Sequence, residues 1–460
     1  MMKKVFIQGL GFVGSAMVAA VAKSKNSSGK LNYHVVGVDL DNKDGREKVS
    51  LINEGKFPFP TKDKDLIKSL STSHANGNIE ATTEQNRFDE ANIILIDIPL
   101  DIPYLDEKPI LAFDKFETAI KTIGSQIKRN SLIIIETTVP PGTCEKIVVP
   151  VLSKELKKRK MNLKDIYLAH SYERVMPGKD YLASITDFWR VFAGYNEKSG
   201  DLCEEFLKNI INTKDFPLTR LSSMTASESS KILENTYRAT NIAFIDEWTK
   251  YAEEIGIDLF EIIDAIKKRP THTNIMMPGL GVGGYCLTKD PMFAPASSEQ
   301  LFDKNLEFPF SKLAVKTNHN MPIHTADRVI SLLKGNIKDK KILICGVSYR
   351  QDIGDTRFSP SEVLVRELLN KNAKVICHDP HLSYWPELGI KLIEELPKKN
   401  QFDAIVFAVP HSEYKDIDLV KWLDKKVIIL DANMVFDDAT RKKNKALGIN
   451  IESIGRATGL

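Results

Sequence analysis

Cysteine patterns that build disulfides or zinc sites are missing from this chain. Its five cysteines, Cys144, Cys203, Cys286, Cys345 and Cys377, are odd in number, scattered and never paired as CxxC. A disulfide framework and a cysteine-ligated metal are excluded, no metal is expected, and a reducing, cytoplasmic setting fits. Charge of one sign is missing too. Lys plus Arg is 64 and Asp plus Glu 61, so the net +3 offers no global field for nucleic acid or an anionic membrane. Any anionic ligand is bound locally. No apolar run approaches the roughly 20 residues of a membrane span, and there is no low-complexity tract or short-period repeat. Lys3-Lys4 and the apolar run to Ala22 imitate a secretory signal. Cleavage there would delete Gly9, Gly11 and Gly14, which have a better use.

What is present reads as several α/β units. A length of 460 residues predicts about three domains. Val5–Gln8 reads as a buried strand, and Gly9, Leu10, Gly11, Phe12, Val13 and Gly14 turn it into a helix of small residues. Val35–Val38 is a second strand, ending at Asp39. Strand, glycine turn, helix, strand and acid is the order of a dinucleotide site. The first glycine turns, the second admits the pyrophosphate, and the third packs helix on strand. Asp39 would accept from the adenosine ribose and repel a 2'-phosphate, favouring NAD over NADP. The polar Lys23–Asn32 stretch reads as a surface loop. Further continuous apolar strands follow at Ala91–Ile98, Ser131–Ile135 and Ile166–Ala169, implying a parallel sheet covered on both faces. Thr138 and Glu173 fall just past strand ends, where such sheets bind ligands, although a cap or loop role explains them equally on position alone.

From Ser227 to Ile266 the pattern is helical. Lys231, Asn235 and Arg238 share one face. A second face, Leu233, Tyr237, Phe244, Trp248 and Tyr251, is apolar and aromatic, as a helix between domains or subunits requires. Then comes a loop with four glycines in the seven residues before Cys286, and Asp290 four residues after it. Little side-chain bulk leaves room for something to lie against the backbone and for the sulfur to stand open, and a thiolate attacks a carbonyl carbon far better than water does. A buried cysteine in a glycine loop is the plain alternative. After a helix containing Asn318–Pro322, strands at Lys341–Gly346, Val375–Asp379, Ala404–Val409 and Val427–Asp431 predict a second Rossmann-like domain. It lacks the full glycine turn, and its Arg350 and Arg357 loop suits a phosphate or diphosphate.

With these pieces assembled, the chain resembles the UDP-glucose/GDP-mannose dehydrogenase family of nucleotide-sugar 6-dehydrogenases. The resemblance spans nearly the whole chain, through the glycine turn with Asp39, Asn53–Pro58, Thr137–Gly142, Glu173–Gly178, Lys231 with Asn235, Gly283–Asp290, Asn320–Pro322 and Asp355–Pro360. It implies a four-electron oxidation of a sugar C6 alcohol to a carboxylate with two NAD per turnover, and a homodimer or higher homo-oligomer. It implies Cys286 as the thiol that captures the C6 aldehyde. Lys231 and Asn235 would stabilise the oxygen at C6, and Asp290, Glu173 and Thr138 would manage protons, water and the nicotinamide. For the cofactor it implies the turn residues Gly9 to Gly14, Asp39, Pro99, Thr138 and Arg357. For the UDP-sugar it implies Glu173, Arg174, Val175, Lys231, Asn235, Arg238, Gly279, Gly283 and Arg350.

The chain also departs from the family pattern. Arg350 stands where many members have lysine, and Phe358 where a glutamate is usual. Ala432-Asn433-Met434 replaces an arginine pair of the UDP-glucose branch. Glu173-Arg174-Val175-Met176 is closer to the UDP-N-acetylhexosamine branch, although the Pro-Arg-Val-Asn that often precedes the cysteine loop there reads Thr271–Asn274 here, with Arg269 earlier. A UDP-N-acetylhexosamine is therefore expected first and UDP-glucose second. A silent NAD and nucleotide-sugar binding protein, or a two-electron hydroxyacid-type dehydrogenase, are the rival readings. The expected division is an NAD-binding Rossmann domain at 1–215, a central helical domain at 216–325 and a UDP-sugar-binding Rossmann-like domain at 326–460.

Overall fold

A computed structural model describes residues 2–105, 108–397, 401–424 and 426–459. Its chain falls into two compact units. One comprises Met1–Glu234 with Met292–Glu307, the other Asn235–Pro291 with Phe308–Leu460.

In the first unit an eight-stranded sheet has the order Thr219–Arg220, Val191–Gly194, Tyr167–His170, Leu132–Ile135, Ile93–Ile96, Lys3–Gln8, Tyr33–Val38, Ile79–Thr82. Lys3–Gln8 pairs in parallel with both neighbours, Val5 lying opposite Val35 on one side and Ile93 on the other. The sequence expectation of a parallel sheet holds except at one edge, where Val191–Gly194 runs antiparallel to Tyr167–His170. Strands Ile93–Ile96 and Leu132–Ile135 are buried at every residue, which is why their sequences are unbroken apolar runs rather than alternating ones. The helix Phe12–Ala22 is buried from Gly14 onward, and only a sequence of Gly, Ser, Ala, Val and Met packs so closely on the sheet.

The second unit carries a five-stranded parallel sheet ordered Lys374–His378, Lys341–Cys345, Ala404–Phe407, Ile428–Asp431, Ile451–Ser453. The proline in the middle of the helix Pro309–Leu332, Pro322, is buried. The helical stretch expected from Ser227 through Ile266 is two helices, Met224–Ile255 and Leu259–Lys267. Gly256 takes φ +85°, and Asp258 caps the second helix by accepting from the Phe260 N–H at 2.9 Å. Apolar periodicity continued across the break, so only the glycine and the cap residue signalled it. Among the described residues no helix is long and apolar enough to cross a membrane.

Candidate active site

The glycine turn of the first unit is built for close approach. Gly9 takes φ +100°, and a Cβ there would stand 2.7 Å from the Asp97 carbonyl oxygen. A Cβ on Gly14 would stand 1.8 Å from the Gly9 carbonyl oxygen, whereas one on Gly11 would meet nothing within 4 Å. Gly9 and Gly14 thus serve the fold, and Gly11 keeps space open. The helix begins at Phe12 with no side chain capping it, leaving its first amides for an anion. Asp39 accepts the Leu40 N–H at 2.7 Å and the Leu10 N–H at 3.3 Å, and Lys48 Nζ lies 3.5 Å from it. Phe12 stacks on Phe59 at 4.1 Å between ring centroids, and Pro99 is exposed past the strand Ile93–Ile96. An open phosphate cradle with an acid at the second strand's end fits NAD.

Beside this turn, Asp97 and Glu136 follow directly from the strands Ile93–Ile96 and Leu132–Ile135. Both are buried. Burial pushes both carboxyls up in pKa, Asp97 well up, with the neighbouring Glu136 and Glu173 charges adding to it. Arg190 Nη1 lies 2.7 Å from Glu136 Oε1. The guanidinium offsets part of the rise at Glu136, and Asp97 is raised further.

Thr138, half-buried, lies in the segment after Glu136. That segment is clamped by a residue the sequence reading passed over. Glu228, on the long helix Met224–Ile255, accepts the Gly142 N–H at 2.5 Å and the Cys144 N–H at 2.7 Å. Burial lifts the Glu228 carboxyl to about 7 against these hydrogen bonds, which lower it. One turn further along this helix, Lys231 Nζ donates to the Glu173 carbonyl oxygen at 3.2 Å and lies 5.3 Å from the centre of the Tyr172 ring. The Glu173 carboxylate accepts from the Val175 N–H, which fixes the backbone of this loop. Arg174 is spanned between Glu234, at 2.8 Å, and the Trp189 carbonyl oxygen, at 2.7 Å.

In the second unit, Cys286 is exposed while the other four cysteines are buried. Its carbonyl accepts the N–H of Lys289 at 3.1 Å and of Asp290 at 2.8 Å, closing a tight turn that presents the thiol. Asp290 is fully buried. Its Oδ2 accepts from Asn235 Nδ2 at 2.7 Å and its Oδ1 faces Lys289 Nζ at 2.8 Å. Lys289 Nζ also lies 4.3 Å from the centre of the Tyr285 ring, a cation close to the thiol loop that the sequence reading left unassigned.

The glycines before Cys286 do not leave open room at every position. A Cβ on Gly283 would meet Tyr349 and Pro360 at 2.7 Å, and one on Gly284 would meet the Tyr349 ring at 2.7 Å. The chain's own 349–360 segment fills that space. Gly279 faces the Asn433 side chain, 3.0 Å from its absent Cβ. Arg238, expected beside Lys231 and Asn235, is exposed while those two are buried. Arg350 is exposed, and Arg357 forks onto Asp355 through Nε at 3.0 Å and Nη2 at 2.7 Å.

Three domain profiles of the UDP-glucose/GDP-mannose dehydrogenase family match the chain in succession: the NAD binding domain over residues 3–211, the central domain over 225–320 and the UDP binding domain over 343–438. The UDP-N-acetyl-D-mannosamine dehydrogenase of Methanocaldococcus jannaschii is 31% identical over 440 residues, 95% of this chain and 93% of its own. Among solved structures, UDP-D-ManNAc dehydrogenase from Pyrococcus horikoshii superposes with a TM-score of 0.79 at 25% identity, covering 98% of this chain and 99% of that one. A UDP-glucose dehydrogenase from Pyrobaculum islandicum reaches a TM-score of 0.82 at 21% identity, covering 99% of this chain and 98% of its own, a likeness of fold alone.

Proposed function

The chain belongs to the UDP-glucose/GDP-mannose dehydrogenase family, and on that footing we propose that this NAD-dependent dehydrogenase oxidises the C6 alcohol of a UDP-N-acetylhexosamine to the uronic acid through Cys286. UDP-N-acetyl-D-mannosamine is the first substrate to test, after the name its relative carries; UDP-glucose comes second. The observation that carries the reading is the exposure of Cys286 alone among five thiols, on a turn backed by the Asp290, Asn235 and Lys289 network.

NAD, when bound, accepts one hydride at each of the two oxidation steps. The rest falls to the chain. The C6 alcohol loses a hydride and a proton to become an aldehyde. Cys286 Sγ adds to that carbon, giving a thiohemiacetal, whose loss of a second hydride and proton leaves a thioester. Water then cleaves the carbon–sulfur bond, releasing the carboxylate and restoring the thiol. Lys231 and Asn235 donate to the C6 oxygen as it gains negative charge. Asp290 and Glu173 exchange protons with the substrate and the hydrolytic water, and Thr138 places that water. Arg350 takes the diphosphate of the UDP-sugar, where a guanidinium fork contacts two oxygens at once, and Arg357 reaches the cofactor.

The division at 1–215, 216–325 and 326–460 is taken as the functional one, with the reaction in a reducing cytoplasm. The partner proposed is a second copy of this chain. Leu233, Tyr237, Phe244, Trp248 and Tyr251 remain 45 to 70% exposed on the long helix, and a stripe so rich in aromatics is well suited to an interface.

The test is NADH yield per sugar across UDP-ManNAc, UDP-GlcNAc, UDP-GalNAc and UDP-glucose. Two NADH per sugar are expected on the true substrate. Cys286→Ser is expected to abolish acid formation; if that variant turns over at the parent rate with one NADH per sugar, the enzyme is a two-electron dehydrogenase.

A further inference from the structure

The two buried acids of the first unit have no part in the chemistry assigned so far. Ile96 pairs with Ile135 in the parallel sheet, so Asp97 and Glu136, one step further along each strand, are neighbours across a spacing of about 4.8 Å. Their side chains take the same face as Leu95 and Ile134, which pack in one core with the helices Phe12–Ala22 and Glu197–Lys208. Asp97 is 7% exposed and Glu136 2%. They stand at the carboxyl end of the sheet beside Lys3–Gln8, where the strand order reverses and where such sheets bind dinucleotides. The glycine turn lies directly against them, since a Cβ on Gly9 would stand 2.7 Å from the Asp97 carbonyl oxygen.

One cation faces these two acids. Arg190, itself buried, holds Glu136 Oε1 at 2.7 Å. The Glu173 charge bears on both carboxyls from the loop after Tyr167–His170. Cys203, on the helix Glu197–Lys208, is also within reach of the Arg190 and Glu136 charges, and burial pushes its thiol up. A guanidinium balances one carboxylate, and a second carboxylate beside it, away from water, carries a cost that a proton removes. Burial raises both acids, and the hydrogen bond between them raises Asp97 further while lowering Glu136. Such a pair titrates as a unit, one proton serving two carboxyls.

We propose that Asp97 and Glu136 hold one proton between them and that this proton follows the charge of the nicotinamide, leaving for solvent when NAD binds and returning when NADH takes its place. The nicotinamide ring is cationic in NAD and neutral in NADH, and charge placed near a cofactor ring tunes it. A doubly ionised pair favours the cation, and a singly ionised pair the neutral ring. In each hydride step the alcohol or the thiohemiacetal also loses a proton. The pair takes up one proton as the neighbouring ring loses its charge, which balances that step, and exchange of NADH for NAD passes the proton on to solvent. This use in turnover rests on the reaction proposed above; the linkage to cofactor binding does not.

The test is proton release on cofactor binding by the full-length chain, with no sugar present. Calorimetric titrations in two buffers of different ionisation enthalpy count the protons. Near pH 7 the parent is expected to release up to about one proton per NAD and none per NADH, and its NAD affinity to rise by up to about tenfold per pH unit. Asp97→Asn keeps the shape but cannot share the proton, and is expected to bind NAD without release and with an affinity independent of pH. Infrared spectra of the parent should show the carbonyl stretch of a buried protonated carboxyl, lost with NAD, kept with NADH and absent from Asp97→Asn. The first two of those spectra need no variant, so a poorly folded substitution does not blunt the test. Equal proton counts for NAD and NADH overturn the proposal, as does release undiminished in Asp97→Asn or a carboxyl band that NAD leaves in place. A chain that shows the linkage yet oxidises no UDP-sugar upholds the pair and fails the proposed reaction.

Discussion

Asn235 donates to Asp290 at 2.7 Å across a sequence separation of 55 residues, and both groups are buried. The same carboxylate faces Lys289 at 2.8 Å, with 1% of its side chain exposed. Asp290 therefore anchors one end of the cysteine turn to the long helix and balances a buried ammonium. Replacing it with alanine is expected to destabilise the fold by about 3–5 kcal/mol, because it strands a charge. Asp290→Asn should cost less in urea unfolding while still lowering turnover, which separates the structural part of its role from the proton-transfer part.

Thiol reactivity should follow exposure. Burial raises the pKa of Cys144, Cys203, Cys345 and Cys377, and only Cys286 is exposed. Native protein treated with iodoacetamide is expected to gain one adduct, at Cys286, and denatured protein five. Rapid labelling of any buried cysteine in the native state would contradict the packing described.

Glu228 gives a pH signature. Its folded pKa is lifted by burial from 4.5 to about 7, so its contribution to stability is fully present below pH 4.5 and is lost as pH rises through about 7. The loss amounts to about 3 kcal/mol. Glu228→Gln should remove this slope, so the stability difference between parent and variant should shift in the variant's favour between pH 5 and 8. A constant difference across that range would show that Glu228 does not titrate there.

Two glycines of the dinucleotide turn should separate by experiment. A methyl at Gly14 collides with the Gly9 carbonyl at 1.8 Å, while one at Gly11 meets no protein atom within 4 Å. Gly14→Ala is expected to lower the melting temperature and NAD affinity together. Gly11→Ala should leave melting unchanged and weaken NAD about tenfold or more, by crowding the space where the pyrophosphate approaches.

The exposed stripe on the long helix is tested by Trp248→Glu. Trp248 is 45% exposed and rests edge-on against Tyr251 at 5.6 Å. A charge there should convert the proposed dimer to monomer in light scattering without loss of secondary structure. Parent protein that is already monomeric at micromolar concentration would remove the dimer reading.

Much of the first sheet was legible because fully buried parallel strands must be apolar throughout, as Leu132–Ile135 is. Short edge pieces such as Thr219–Arg220 carry no such pattern, being exposed at both residues. The shared face of Lys231, Asn235 and Arg238 was readable from helical spacing. Which of the three is covered was not, because that depends on what packs at each height of the helix.

The sequence by itself determined that this chain has an NAD turn, a thiol loop and two α/β units, because glycine tolerance, apolar runs and acid placement are local matters of backbone and burial. Only the tertiary structure decided that Cys286 is the exposed thiol, that Glu228 holds the Gly142–Cys144 turn, and that Asp97 and Glu136 meet as buried acids. Each of these joins residues far apart in the chain, and such pairings are set by how sheets and helices stack rather than by any spacing along the backbone.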